Sequence, residues 1–281
     1  MKNLFTLSFL FGSFFYIANS QAAVISYSDF TDVSNLSVNG DAATTNTSDG
    51  TVLRLTKNQT YQSGSIFSNT TVNAADFSTF FTFRITEPGG TLFDGNTVSG
   101  ADGLVFVAQS VSSSIGGAGA GIGYSGINHS IGIEFDTWHN SANNDPNSNH
   151  IGIDINGNVN HGAGSPHTVG VNTRFDDGNL WYAWVDYNGT TLEIRANQTG
   201  ARPVNALLSQ NLNLVNILGQ NDAYIGFTSG TGADYGNHDI INWEYRDSFN
   251  PIYNSIPEPS SLVLLGLGLT GFGFLRKKKK A

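Results

Sequence analysis

From Val24 to Phe249, short runs of β-branched and aromatic residues alternate with clusters of Gly, Asn, Asp and Ser. Phe77 to Ile85 interleaves Phe with Thr, the period-two pattern of a strand. Trp181 to Tyr187 and Thr191 to Arg195 flank Asn188-Gly189. This predicts a hairpin with a type I′ turn, which needs positive φ at both central residues. Ala223 to Thr228 and Ile240 to Tyr245 are expected to form a second strand pair around a Gly-rich loop. Few segments keep a helical apolar period beyond two turns, and no repeat of roughly 20 to 50 residues is visible. Many short strands with regular turn signals predict one all-β sandwich or barrel over residues 24–249, with 250–256 as a linker.

The two ends break this pattern. Lys2 precedes an apolar run from Leu4 to Ala18, followed by the small residues Ser20, Ala22 and Ala23. Charge, apolar core and small residues in that order predict a secretory signal peptide over residues 1–23. At the other end, Pro257-Glu258-Pro259 leads into an apolar stretch from Leu262 to Leu275, then Arg276 and Lys277 to Lys280. As a helix that stretch reaches about 21 Å, short of a hydrocarbon core of ~30 Å. It therefore reads as a transient membrane contact with its basic end kept cytoplasmic. The triplet, apolar segment and basic tail over 257–281 resemble the PEP-CTERM sorting signal of exported bacterial proteins. That resemblance implies processing by an exosortase-type enzyme and release to the cell surface or extracellular matrix.

Composition narrows the partners. Charged residues make up 12% of the chain, against about 25% in an ordinary domain. The net charge is −9. Residues 24–256 hold 7 basic and 21 acidic side chains, with Lys57 the only lysine. Nucleic acid is excluded as a general partner, because its phosphates require a basic stripe. With no cysteine, disulfides, zinc–thiolate sites and cysteine nucleophiles are excluded.

Candidate chemistry concentrates between Ile131 and Asn156. Glu134, Asp136, Trp138 and Asn140 occupy every second position, so on a strand they would share one face. Their carboxylates would repel unless a cation lies between them. The polar loop 141–149 is short enough to return Asp145 to the same spot, and His150 opens a second strand to Ile155. Hard oxygen donors suit calcium, while a carboxylate-rich set with one imidazole suits manganese or a similar transition ion. Asp154 would share a face with His150 and either support it or serve as an ordinary buried Asp. His129, His139, His161, His167 and His238 read as surface or turn histidines.

The spacing of Glu134, Asp136, Trp138, Asn140, Asp145 and His150 resembles the dimetal site of legume-type (L-type) lectins. So do Val38-Asn39-Gly40-Asp41-Ala42, Leu53-Arg54-Leu55-Thr56, Phe81-Thr82-Phe83, Ala101-Asp102-Gly103-Leu104, Tyr224 to Ser229 and His238 to Trp243, in the family's order. The resemblance implies a concanavalin-like jelly-roll sandwich of antiparallel sheets. It implies Ca2+ on Asp136, the Trp138 carbonyl, Asn140 and Asp145. It implies Mn2+ or a similar transition ion on Glu134, Asp136, Asp145 and His150. Sugar would be held by Asp102 (after a cis peptide from Ala101), by Asn140, by the Trp138 ring, and by backbone amides of Ala233 and of Gly119 or Gly121. Trp138 stands where the family usually has Phe or Tyr.

The function implied is metal-dependent carbohydrate binding without catalysis. A structural matrix protein that retains the fold but not the sugar site is one alternative. A glycoside hydrolase is another; it requires two carboxylates around the scissile bond. Hydrolases of this architecture carry a second glutamate after Glu-x-Asp, which is missing after Glu134-Phe135-Asp136. Homo-oligomers are open to this fold through sheet edges and backs, and the edge residues favour no arrangement.

Overall fold

The computed structural model describes residues 24–91, 100–116, 121–162 and 167–253. The expected signal peptide and sorting signal lie outside the described residues. Among the described residues, sixteen antiparallel strands form two sheets. Sheet I runs β3 (Ala43–Thr47), β4 (Gly50–Thr56), β16 (Tyr235–Arg246), β7 (Phe77–Gly89), β12 (Trp181–Tyr187), β13 (Thr191–Asn197) and β14 (Leu208–Asn211). There β1 (Ile25–Tyr27) pairs with the end of β16. Sheet II runs β2 (Leu36–Gly40), β5 (Ser63–Ser68), β15 (Asp222–Gly230), β8 (Gly103–Gln109), β9 (Ser130–Asp136), β10 (His150–Ile155) and β11 (Thr168–Gly170). In this layer β6 (Val72–Asn73) pairs with β15. The one α-helix among the described residues, α1 (Leu214–Leu218), is capped by the Asn213 side chain and ended by Gly219 in the left-handed region. No helix among the described residues is long and apolar enough to cross a membrane.

The sheets face each other across an aromatic core. Phe81 of β7 meets Phe227 of β15 at 4.9 Å between ring centroids, and Phe83 meets Phe135 of β9 at 5.1 Å. Each fully buried side chain of this size stabilises the fold by roughly 2 kcal/mol. The outer face of sheet II is covered too: Ile122, Tyr124 and Ile127 pack on Phe67, Val105 and Val107. Tyr124 lies over Gly132, where a Cβ would meet its ring.

Two sequence expectations change. Ala223 to Thr228 and Ile240 to Tyr245 are strands, but they do not pair. β15 belongs to sheet II and β16 to sheet I, and the chain crosses between the layers at 231–234. Their apolar faces meet across the core instead, with Phe227 and Trp243 at 5.0 Å. Alternation fixes which face of a strand is buried, not which strand lies beside it. The hairpin at Asn188 forms as expected, but its turn is displaced by one residue. Asn188 N donates to Thr191 O, and of the turn residues only Gly189 has positive φ, at 91°. That is the pattern of a type II′ turn, with glycine at the first central position. The Asn188 side chain accepts from Thr190 N and Thr191 N, which holds Asn188 outside the centre of the turn.

Beyond β16, Asn250 N donates to Ser78 Oγ, and Ile252 is buried against Phe80 and Trp184 on the outer face of sheet I.

Candidate metal and ligand site

β9 builds the site with its outward face. Ile131, Ile133 and Phe135 enter the core between the sheets, so Glu134 and Asp136 point away from it. In the antiparallel register His150 lies opposite Asp136, and Gly152 lies opposite Glu134. Glu134 therefore sits over a residue with no side chain, flanked by His150 and Asp154 on the same face. β8 completes the base, with Gly103 opposite Asp136.

The expectation that Trp138 and Asn140 continue this strand is corrected. β9 ends at Asp136, and both residues lie in the loop that follows. Hydrogen bonds to one backbone carbonyl and to two carboxylates turn the backbone out of the ladder. Thr137 N donates to Asp102 O at 3.1 Å. Trp138 N donates to Asp136 Oδ1 at 2.6 Å, and Asn140 N donates to Asp145 Oδ2 at 2.5 Å. A single 3-10 turn at Ser141–Asn143, ended by left-handed Asn144, returns the chain toward Asp145.

Glu134, Asp136, Asp145 and His150 are all buried. Ligand atoms of Asp136, Asp145 and His150 lie within 4.8 Å of one another, as do those of Glu134, His150 and His161. His150 Nε2 is 3.0 Å from Glu134 Oε1. Its Nδ1 is 3.0 Å from the Asn147 carbonyl, so an Nδ1–H donor there leaves Nε2 facing the carboxylates.

The electrostatics fit a cation. Burial pushes the Asp136 carboxyl well above its usual range, reinforced by the charges of Glu134 and Asp145. Burial likewise raises Asp145. Burial would raise Glu134 too, but hydrogen bonds from His150 and His161 outweigh it and hold the group down at about 2. Burial drives Asp102 up to about 7, helped by Asp234. A divalent ion among these oxygens reverses the sign of their environment. Two buried oxygens support that fit: Asn140 Oδ1 and Asp102 Oδ2 have no hydrogen-bond partner among the described residues, which is costly if it persists.

Beside this cluster lies a hollow of about 150 Å³ lined by Asp102, Trp138, Asn140, Gly232, Ala233 and Asp234. The Ala101–Asp102 peptide is cis. The hollow thus gathers four of the residues assigned to sugar: Asp102, Trp138, Asn140 and Ala233. Gly121 does not line it; its carbonyl instead accepts from Tyr124 N and Ser125 N. Gly119 lies outside the described residues.

Two histidines depart from the sequence reading. His161 is not a surface residue: its side chain is 1% exposed, with Nε2 2.6 Å from Glu134 Oε1. Burial would lower its pKa, but hydrogen bonding to Glu134 and that residue's charge raise it. Spacing along β9 and β10 could not reveal this, because His161 arrives on the loop after β10. His238 is fully buried in sheet I, its Nδ1 2.6 Å from Thr56 Oγ1. Burial, together with Arg54, pushes it down to about 3.

A two-layer antiparallel sandwich with a buried acidic cluster beside a small polar hollow defines the class of protein. The legume lectin domain family matches residues 22–259, and the PEP-CTERM protein-sorting motif matches residues 255–278. The chain belongs to the legume lectin domain family. It is 30% identical to the L-type lectin-domain containing receptor kinase VIII.1 of Arabidopsis thaliana over 263 residues, covering 82% of this chain and 35% of the kinase. The chain thus spans about a third of the length of such relatives. Peanut lectin with a 9mer peptide is 26% identical, with a TM-score of 0.62 and coverage of 79% of this chain and 95% of that one. The Bauhinia forficata lectin in complex with GalNAc is 23% identical, with a TM-score of 0.64 and coverage of 79% and 96%.

Proposed function

We propose that this is an exported carbohydrate-binding protein whose sugar site depends on a bound calcium ion and a neighbouring transition ion. The observation that carries the reading is the juxtaposition of Asp102 Oδ2 and Asn140 Oδ1. Both are buried and without protein partners among the described residues, at the edge of one polar hollow and beside Asp136 and Asp145.

In this reading Asp136, the Trp138 carbonyl, Asn140 and Asp145 hold calcium. Glu134, Asp136, Asp145 and His150 hold the transition ion. The ions supply positive charge and fix the loop; they perform no reaction. Asn140 gives its side-chain oxygen to calcium, leaving its amide to donate to a sugar oxygen. Asp102 accepts from sugar hydroxyls through a charge-assisted hydrogen bond. The Trp138 ring offers an apolar face, and the Ala233 amide adds a donor, as does a glycine amide from the 116–123 loop. Residues 1–23 serve as signal peptide, 24–249 as the lectin domain, and 257–281 as the substrate of an exosortase-type enzyme. The product sits at the bacterial cell surface or in the extracellular matrix. Peanut and Bauhinia lectins are neighbours in fold, and the GalNAc named with the latter makes N-acetylhexosamines sensible first probes.

A glycan array tests the reading. Binding should be seen with calcium and manganese present and be lost with EDTA and in Asp102→Ala. A chain that holds two ions yet binds no glycan would instead point to a structural matrix role. Release of reducing sugar from a polysaccharide panel would overturn the non-catalytic assignment.

A further inference from the structure

Resting on the proposed dimetal reading, we propose that His161 is a direct ligand of the transition ion. The position then becomes a two-imidazole site that favours zinc-, nickel- or copper-class ions over manganese. None of the roles assigned above uses His161.

Two imidazole nitrogens converge on the same pair of carboxylates. His150 Nε2 is 3.0 Å from Glu134 Oε1 and 3.9 Å from Asp145 Oδ1. His161 Nε2 is 2.6 Å and 4.0 Å from those same two oxygens. The rings stand edge to face, 5.7 Å apart at 88°, so both nitrogens reach one point without stacking. Ligand atoms of Glu134, His150 and His161 lie within 4.8 Å of one another, with Asp145 about 4 Å from both imidazoles. A set with two imidazoles matches the preference of zinc and its neighbours, whereas manganese prefers carboxylate, carbonyl and water.

The surroundings look built for this placement. Asp154 is buried, and neither of its carboxylate oxygens has a hydrogen-bond partner among the described residues. Its Oδ1 lies 3.6 Å from His161 Nδ1. A carboxylate behind the far nitrogen of a ligating imidazole fixes its tautomer and orientation. Gly152 clears the space: a Cβ there would strike Glu134 Oε1 and His161 Cε1. The segment carrying His161 is fastened to the metal loop. His161 N donates to Asn143 O, Asn160 Nδ2 to Ala142 O, and Asn144 Nδ2 to Asn160 Oδ1.

The test is competitive metal uptake by the full chain, stripped with EDTA and then dialysed with calcium plus equimolar zinc and manganese. Zinc exceeds manganese at many nitrogen- and oxygen-bearing sites, so the decisive quantity is the change on His161→Ala. The zinc-to-manganese ratio should fall at least tenfold, while calcium uptake and calcium-dependent glycan binding persist. Copper-loaded protein should show hyperfine splitting from two nitrogens in the parent chain and from one in the variant. His161→Gln, which keeps a polar side chain of similar reach, serves should the alanine variant fail to fold, with the same loss expected. An unchanged ratio and an unchanged nitrogen count, with both ions still bound, would overturn the role of His161 and leave the dimetal reading standing. A parent chain that takes up calcium and no transition ion overturns both.

Discussion

Buried carboxylates occur in both sheets, and the two sheets neutralise them differently. In sheet I, Asp239 meets Arg54 at 2.7 Å and Asp186 meets Arg202 at 2.7 Å. Arginine is a fixed, always-charged partner for such groups. On sheet II, the recorded ion pairs of Glu134 and Asp145 come from histidines alone, and Asp136 is raised by two neighbouring carboxylates. The domain has six arginines, and each is engaged with an acidic residue away from this cluster. The difference teaches where charge is supplied by the chain and where it must come from outside. In the proposed reading the cluster left without arginine takes its charge from a cation, and its stability should depend on that cation.

The sharpest way to break the comparison is to remove Asp136, which faces both groups of ligands. Asp136→Asn should abolish uptake of both ions and lower glycan affinity more than a hundredfold, as read by calorimetric titration. In EDTA the same substitution should raise Tm, because it removes repulsion that no cation offsets. A matching cut in sheet I should ignore metal altogether. Arg202→Ala leaves Asp186 only the 3.7 Å contact with Arg195. In denaturant unfolding it should cost less than the ~3–5 kcal/mol of a fully unpaired buried charge, equally with and without EDTA.

Legibility in the sequence follows the same divide. The period-two run from Ile131 to Asp136 revealed both faces of β9, and the separation from Asp136 to His150 placed Asp145 and His150 correctly. The cis peptide before Asp102 was anticipated by the family resemblance of Ala101-Asp102-Gly103-Leu104, not by local chemistry. His161 stayed hidden because nothing in local spacing links the end of a loop to a residue on the neighbouring strand. In retrospect its one signal is Gly152, a glycine midway through β10 on the same face as His150 and Asp154. The separation of β15 from β16 was equally unreadable, because a strand alternates in the same way whether its successor lies beside it or across the core. His238 was misplaced because it faces inward, opposite the core residue Ile85 and bonded to Thr56, at a position where alternation leads one to expect an apolar side chain.

That burial gives a smaller, pH-dependent effect in sheet I. His238 is held down at about 3 when folded, against an ordinary value of 6.5. The unfolded chain therefore binds the proton first as pH falls. The stabilisation is complete above about pH 6.5 and is lost as pH drops toward 3. Between pH 6.5 and 5 the loss should be about 1.5 kcal/mol, visible as a steeper fall in Tm than in His238→Gln. The smallest effect should come from Trp138→Ala. It removes a ring but keeps the backbone carbonyl, so ion uptake should stay intact while glycan affinity falls by about 1 kcal/mol.

The most direct test of the account is a calorimetric titration of calcium, in the presence of a transition ion, into the EDTA-stripped full chain. The expected result is saturable uptake of one calcium per chain beside the transition ion, with a large rise in Tm and no uptake by Asp136→Asn. A folded chain that binds no ion, and whose Tm is the same in calcium and in EDTA, would contradict it.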